Sequence, residues 1–195
     1  MAERILKLKE IEDFFQSITC QIIGLDMTKE ENQSKVRITW PQNGAPSWKI
    51  NEDVIFLRVT PIDDKVARTL NIIYDTNSVD DDFLTKKTGY TRVHKIDFSL
   101  YGPNSYDNAD LIRYSLLDPH LLKEKFRENN LAVIPDIPMP VRVPELYNGQ
   151  WWDRSDFSAM FNEGVIREQQ TPFIKSVEIK LATEKKTIDI PIDKN

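Results

Sequence analysis

Residues 151–170 read WWDRSDFSAMFNEGVIREQQ, and whether this stretch is strand or helix decides the fold. Phe157, Ala159, Phe161 and Val165 fall on one parity; Arg154, Asp156, Ser158 and Asn162 fall on the other. A period of two is that of a strand with one apolar face and one wet face. Gly164 suggests a bulge near its end. If the strand starts at Trp151, that indole joins Phe157 and Phe161 in the core, and Trp152 sits half-exposed beside Arg154. Tryptophan and arginine are enriched at the centres of protein interfaces. Trp151, Trp152, Arg154 and Asp156 are therefore candidate contact residues, with Trp48 as a further aromatic partner. A sugar platform built from Trp151, Trp152 and Trp48 is a rival use of the same rings.

The same alternation continues on both sides. Downstream, FIKSVEIKL (173–181) repeats it, and TIDIPI (187–192) forms a final edge strand whose Ile188 and Ile190 are candidate contacts. Upstream, VRVPEL (141–146) is a second edge, because Pro138, Pro140 and Pro144 keep that region out of a sheet centre. In DVIFLRVTP (53–61), Ile55, Leu57 and Val59 oppose Arg58 and Thr60; with VARTLNIIYD (66–75) this predicts an antiparallel hairpin. In YTRVHKIDFSLYG (90–102), Ile96, Phe98 and Leu100 oppose Lys95, Asp97 and Ser99. LAVIP (131–135) is a short buried run.

Elsewhere the period is helical. Leu8, Ile11, Phe15, Ile18 and Ile22 form the stripe of an amphipathic helix that stops near Gly24, with Cys20 beside it as a packed thiol. Ala109, Ile112 and Leu116 mark a second helix. Asp118-Pro119 caps and restarts it, Leu122 and Phe126 continue the apolar face, and Asn129-Asn130 ends it. Residues 25–47 and 76–89 read as long loops, the first broken by Pro41, Gly44 and Pro46. The expected fold is α+β over a single domain, 1–195: a mostly antiparallel sheet with two flanking helices.

Composition narrows the function. The 195 residues carry a net charge of −5, which argues against a surface built to neutralise phosphates. A single cysteine permits no internal disulfide. No stretch reaches the roughly 20 apolar residues of a membrane span, and no leader is visible, so a cytoplasm is the expected site of synthesis. Two histidines, His94 and His120, and one cysteine supply no zinc cluster. Neither the acidic pair at 63–64 nor the triplet at 80–82 has the ligand spacing of a calcium loop. Six glycines form no phosphate cradle. His94 with Asp97 could be written as a proton relay, but a strand histidine bonded to one partner is the simpler reading. No catalytic, metal or cofactor residue is assigned, and the chain is not expected to be an enzyme.

Two stretches together resemble the bacteriophage neck or tail terminator proteins. In KIDFSLYGPNSYDNADLIRYSL (95–116), a strand ends in aromatic-Gly-Pro-Asn and Asp-Asn-Ala opens a helix. In WWDRSDFSAMFNEGVIREQQTPFIKSVEIKL (151–181), Trp precedes Arg-x-Asp-Phe, and Ile-x-x-Val-Glu-Ile closes the segment. The resemblance covers residues 88–182, including LLKEKFRENNLAVIP (121–135). The Pro-x-Pro-Tyr-like segment of such proteins is replaced here by NGAPSWKINEDVIFLRVTP (43–61). The resemblance implies a tail-terminator-like fold and a structural virion protein, made in the bacterial host. Such proteins form a ring of six copies that caps the tail tube, stops its polymerisation and joins tail to head. The implied partners are further copies of itself, the tail tube protein, a neck, head-completion or adaptor protein, and the tail sheath. DNA passes through the lumen without sequence-specific binding, and no membrane is involved. A head-completion, adaptor or baseplate protein is the nearest alternative; a carbohydrate-binding module or a hydrolase is more distant.

Overall fold

The computed structural model describes residues 5–26, 28–39, 47–75, 83–174, 176–180 and 187–191. In chain order these form helix α1 (Leu8–Ile22), helix α2 (Glu30–Gln33), strands β1 (Val36–Ile38), β2 (Val54–Ile62), β3 (Asn71–Asp75) and β4 (Phe83–Tyr101), and helices α3 (Ser105–Leu117) and α4 (Pro119–Glu128). Strands β5 (Leu131–Ile134), β6 (Val141–Arg142), β7 (Glu145–Tyr147), β8 (Gln150–Trp152), β9 (Arg154–Pro172), β10 (Ser176–Lys180) and β11 (Thr187–Pro191) complete the chain. The architecture is α+β with a mostly antiparallel, mixed sheet. Two compact units share the chain: a larger one, residues 4–69 and 90–165, and a smaller one, residues 1–3, 70–89 and 166–195. Among the described residues no helix is long and apolar enough to cross a membrane.

In the larger unit the strand order is β1-β2-β4-β9-β5, with β6 also on β9. Strand β2 runs antiparallel to β4, with Leu57 opposite Phe98 and Arg58 opposite Asp97; β1 runs parallel to β2. Alternation gives the sheet one dry face. Ile55, Leu57, Ile96, Phe98, Leu100, Phe157, Ala159 and Phe161 are all buried there. Each such large side chain contributes on the order of 2 kcal/mol of hydrophobic stabilisation. Ile11, Phe15 and Ile18 of α1, Ala109, Ile112 and Leu116 of α3, and Leu122 and Phe126 of α4 join the same core. Phe15 meets Phe161 at 4.5 Å between ring centroids, and Phe98 stacks flat on Phe157 at 4.5 Å. Asp118 caps α4 by accepting the His120 N–H at 2.9 Å, with Pro119 in the first turn. Cys20 is buried, and that burial pushes its thiol up to about 11.

Among the described residues one carboxylate lies inside this core. Glu163 is fully buried on β9. Its carboxylate accepts from Arg92 Nη2 at 2.7 Å, from Arg92 Nε at 2.9 Å and from the Leu6 N–H at 3.2 Å, and pairs with His94 Nε2 at 2.8 Å. Desolvation pushes the Glu163 carboxyl up, but the bonds from His94, Arg92 and Leu6 together outweigh it and hold the group below the ordinary carboxylate range. Arg92 also donates to the Leu6 carbonyl at 2.7 Å, so the cluster ties the segment before α1 to the sheet.

The smaller unit contains β3 paired with β4, from Asn71 opposite Gly89 to Asp75 opposite Thr85. Lys87 bonds Asp75 at 3.1 Å and lies 3.7 Å from Glu168. A separate two-stranded sheet pairs β10 with β11.

Several expectations are corrected. Strands β2 and β3 form no hairpin: both pair with β4, and a short 3-10 helix occupies Val66–Arg68. Periodicity identified the strands; partner choice depends on which faces burial claims. Residues 25–47 are not all loop, since they hold α2 and β1, elements too short to show a period. Residues 83–89 of the second expected loop belong to β4, where Lys87 pairs with Asp75. The acidic run at 77–82 and the Pro/Gly segment at 40–46 lie outside the described residues. Gly164 introduces no bulge, because buried and exposed positions keep alternating from Ser155 to Val165. Among the described residues three helices have ten or more residues, and α3 gives way to α4 at Asp118-Pro119, the restart expected from the sequence.

Replacing Glu163 by Gln removes the counter-charge of the half-buried Arg92 and one buried acceptor, at an expected cost of about 2 kcal/mol at neutral pH. The depressed carboxyl of the folded state stabilises the fold fully above the unfolded value of about 4.3 and loses that contribution as pH falls through the lower folded value. Denaturant unfolding at pH 7 and again below pH 4 is expected to show the gap between wild type and Glu163→Gln narrowing on acidification.

Candidate interaction site

The end of β4, the start of α3 and the start of β9 converge on Gly102. Its φ is +109°, a region that side chains strongly disfavour, and a Cβ there would lie 2.5 Å from Asp53 Oδ1 and 2.6 Å from the Glu52 carbonyl oxygen. Asp53 uses that proximity: its carboxylate accepts the Asn104 backbone N–H at 3.0 Å and the Asn104 side-chain amide at 2.8 Å. The Gly102 N–H donates to the Asp153 carbonyl at 3.1 Å, and the Ser105 and Ser155 hydroxyls lie 3.3 Å apart. The aromatic-Gly-Pro-Asn sequence is therefore a joint, tied to the segment that begins β9.

Strands β7 and β8 make a hairpin of their own, with Glu145 opposite Trp152 and Leu146 opposite Trp151. Asn148 and Gly149 take φ of +50° and +77°, the two-residue turn with both central residues left-handed that matches strand twist. Side chains alternate across this ribbon. Glu145, Tyr147 and Trp152 share one face; Leu146 and Trp151 share the other. Trp151 is 67% exposed and Leu146 58%. The expectation that Trp151 joins the core with Phe157 is overturned. The parity does not carry from Trp151 to Phe157 because β8 ends at Trp152, Asp153 interrupts, and β9 begins at Arg154.

The inner face of the hairpin completes an aromatic cluster. Trp152 meets Trp48 at 5.9 Å and 74°, and Tyr147 at 6.1 Å and 72°. Trp48 contacts Phe56 at 5.1 Å and Tyr101 at 5.6 Å. Charges are threaded through it. Arg154 Nε and Nη2 donate to the two oxygens of Asp156 at 2.9 and 2.7 Å, and Nη1 donates to Glu145 at 3.1 Å. The Tyr101 hydroxyl donates to the same Glu145 oxygen at 2.7 Å. Arg154 lies 5.5 Å from the Tyr101 centroid, and Arg37 lies 5.2 Å from the Trp48 centroid. Burial, followed by the bond to Glu145, pushes the Tyr101 phenol up to about 12. The Tyr101 hydroxyl, with help from Arg154, holds Glu145 below the usual carboxylate range; the fork to Asp156 raises Arg154 further. The Nε1 atoms of Trp48 and Trp152 are buried without a hydrogen-bond partner among the described residues.

Four of the seven sequence-predicted contact residues, Trp48, Trp152, Arg154 and Asp156, thus come together. Trp151 points away on the far face of the hairpin. Ile188 and Ile190 belong to β11 in the smaller unit, opposite Ile179 and Val177, and their side chains lie outside the described residues. Tyr101, Glu145, Tyr147 and Phe56 complete the cluster and were not predicted; the Asn148-Gly149 turn signal places Glu145 opposite Trp152. His94 and Asp97 are not brought together: His94 faces the core against Glu163, whereas Asp97 pairs with Arg58 and Lys95 on the opposite face. The steep angles between Trp48, Trp152 and Tyr147 leave no flat platform of the kind a sugar ring stacks on. Among the described residues no three His, Cys, Asp or Glu side chains are grouped to hold a metal.

The residues of this site, with the stretches 95–116 and 151–181, lie within a match to a family model described as phage neck terminator protein, which spans residues 9–187. The chain belongs to the phage neck terminator family. The match extends well before residue 88, so it takes in α1, β1 and β2 as well. No curated protein matches the chain. Membership marks a structural bacteriophage protein of the virion neck, and in this neck terminator both motifs have physical reasons. Gly102 and Asn104 lock β4 to α3. In Arg-x-Asp-Phe, residues 154 and 156 share the wet face and fork together, while Phe157 stacks in the core.

Gly102→Ala is expected to destabilise the neck terminator by at least 2 kcal/mol, because strain at positive φ adds to a clash with backbone and carboxylate. Thermal unfolding beside Gly149→Ala, whose Cβ meets nothing within 4 Å, separates the two contributions: Gly149→Ala suffers only the φ strain.

Proposed function

We propose that the chain acts as one terminator domain, with a tail-terminator-like fold, whose copies close into a ring, of six in the simplest case. The ring caps the tail tube, ends its polymerisation and joins tail to head. Its partners are its own copies, the tail tube protein and a neck or head-completion protein, with the sheath as a further neighbour in contractile particles. DNA passes through the lumen unread. Assembly takes place in the host cytoplasm. A head-completion or adaptor role is the nearest alternative, and locating the subunit in the particle distinguishes the two.

The observation that carries this reading is the Trp48–Trp152–Arg154 cluster. It combines the residue types that dominate interface hot spots, and it lies at the surface beside exposed apolar side chains at Met139, Val141, Leu146 and Trp151. A closed ring needs two different surfaces per subunit, repeated until the rotation closes. The outer face of the β7–β8 hairpin, with Leu146 and Trp151 exposed, and the recess beside Trp152 supply unlike chemistry close together. Ile188 and Ile190 on β11 are proposed as a further contact.

Trp152→Ala and Arg154→Ala are expected to weaken ring formation at least tenfold while leaving the fold intact, since both residues are only half-buried. Mass photometry measures the first effect and circular dichroism the second. Negative-stain images of tail tubes mixed with the protein are expected to show capped ends, and uncapped ends with either variant. A protein that stays monomeric at all concentrations and ignores tube ends is not a terminator.

A further inference from the structure

We propose that the recess walled by Trp48, Tyr101, Tyr147 and Trp152 takes a cationic side chain, an arginine guanidinium or lysine ammonium, presented by a partner polypeptide. This names what the partner brings to the cluster described above, and it rests on reading that cluster as a partner contact.

The recess has a volume of about 400 Å3 and is lined by those four rings with Ser47 and Glu145. Ring faces carry a negative quadrupole and attract a cation within about 6 Å of the centroid. Here the rings stand at 62° to 74° to one another, so they wall a box. Among the described residues no lysine or arginine lines it, and Glu145 is its one carboxylate. That carboxylate stays charged because the Tyr101 hydroxyl and Arg154 bond its ionised form. Arg154 gives only one of its three bonded nitrogens, Nη1, to Glu145 and the other two to Asp156, and the second cation of the group, Arg37, lies against the Trp48 ring. Two of the four rings already lie within 6 Å of a guanidinium of this chain, Arg37 at Trp48 and Arg154 at Tyr101. An anion would meet Glu145. A sugar would find one hydroxyl side chain, the phenols and the carboxylate, without a flat ring to lie on. Tyr147 and Glu145 are exposed at the rim, so a long aliphatic stem can lie against Tyr147 while its charged head goes inward.

The test uses arginine blocked at both termini, with blocked citrulline as its neutral isostere, titrated into the monomeric fraction of the full chain. The indole N–H resonances, assigned by Trp→Phe variants, are the readout. Arginine is expected to shift the Trp48 and Trp152 signals saturably and to leave Trp151 in place. Citrulline and the Glu145→Gln variant are each expected to bind roughly tenfold more weakly. Equal binding of arginine and citrulline, undiminished binding to Glu145→Gln, or no shift at Trp48 and Trp152 overturns the proposal. Glu145 is exposed and its replacement isosteric, and circular dichroism checks that the variant folds. Oligomeric state is measured separately. A chain that binds arginine but never forms rings overturns the ring and keeps the cage; a ring-former whose monomer ignores arginine does the reverse.

Discussion

The candidate site depends on one close approach, the backbone of Gly102 against Asp53. Because no side chain intervenes, Asp53 reaches across to Asn104 and joins the start of β2 to the start of α3. The Gly102 N–H then fixes Asp153. Those two links locate Tyr101 on one side and Trp152 and Arg154 on the other, so the aromatic cluster inherits its geometry from a glycine that is not part of it. Asp153 matters for the same reason: its carbonyl is held where the chain leaves β8 and enters β9, which lets adjacent tryptophans serve two surfaces.

The larger unit divides its work by face. The dry side of the sheet is filled by aromatic stacking among Phe15, Phe98, Phe126, Phe157 and Phe161 and supplies the hydrophobic stability. The wet side is held by paired charges, Arg58 with Asp97 and Arg154 with Asp156. Exposed pairs of this kind contribute about 1 kcal/mol or less each, so the wet side can change its contacts at little cost to the fold. Glu163 is the exception, a charge on the dry side whose partners are drawn from β4 and the segment before α1.

Much of this was legible in the sequence. Parity named the buried set of β9 from Phe157 to Val165 and of β4 from Ile96 to Leu100, and helical spacing named Ile11, Phe15, Ile112 and Phe126. Asp118-Pro119 marked a real restart. Strand partners were less visible, because β3 shows a strand pattern without a buried face to fix its neighbour. Parity extended through Asp153 misplaced Trp151, since a break of one residue leaves no trace in the period. Tyr101 and Glu145 meet only after β4, β9 and the β7–β8 hairpin have each found their register, and such pairings are set by tertiary contacts. Buried Glu163 looked like any surface carboxylate because its partner Arg92 lies far away along the chain.

The sheet of the larger unit is closed off at both sides by very short strands. Strand β1 has three residues; β5 and β6 have four and two, and prolines at 135, 138, 140 and 144 surround β6. Strands this short each offer few backbone bonds for a further strand to pair with.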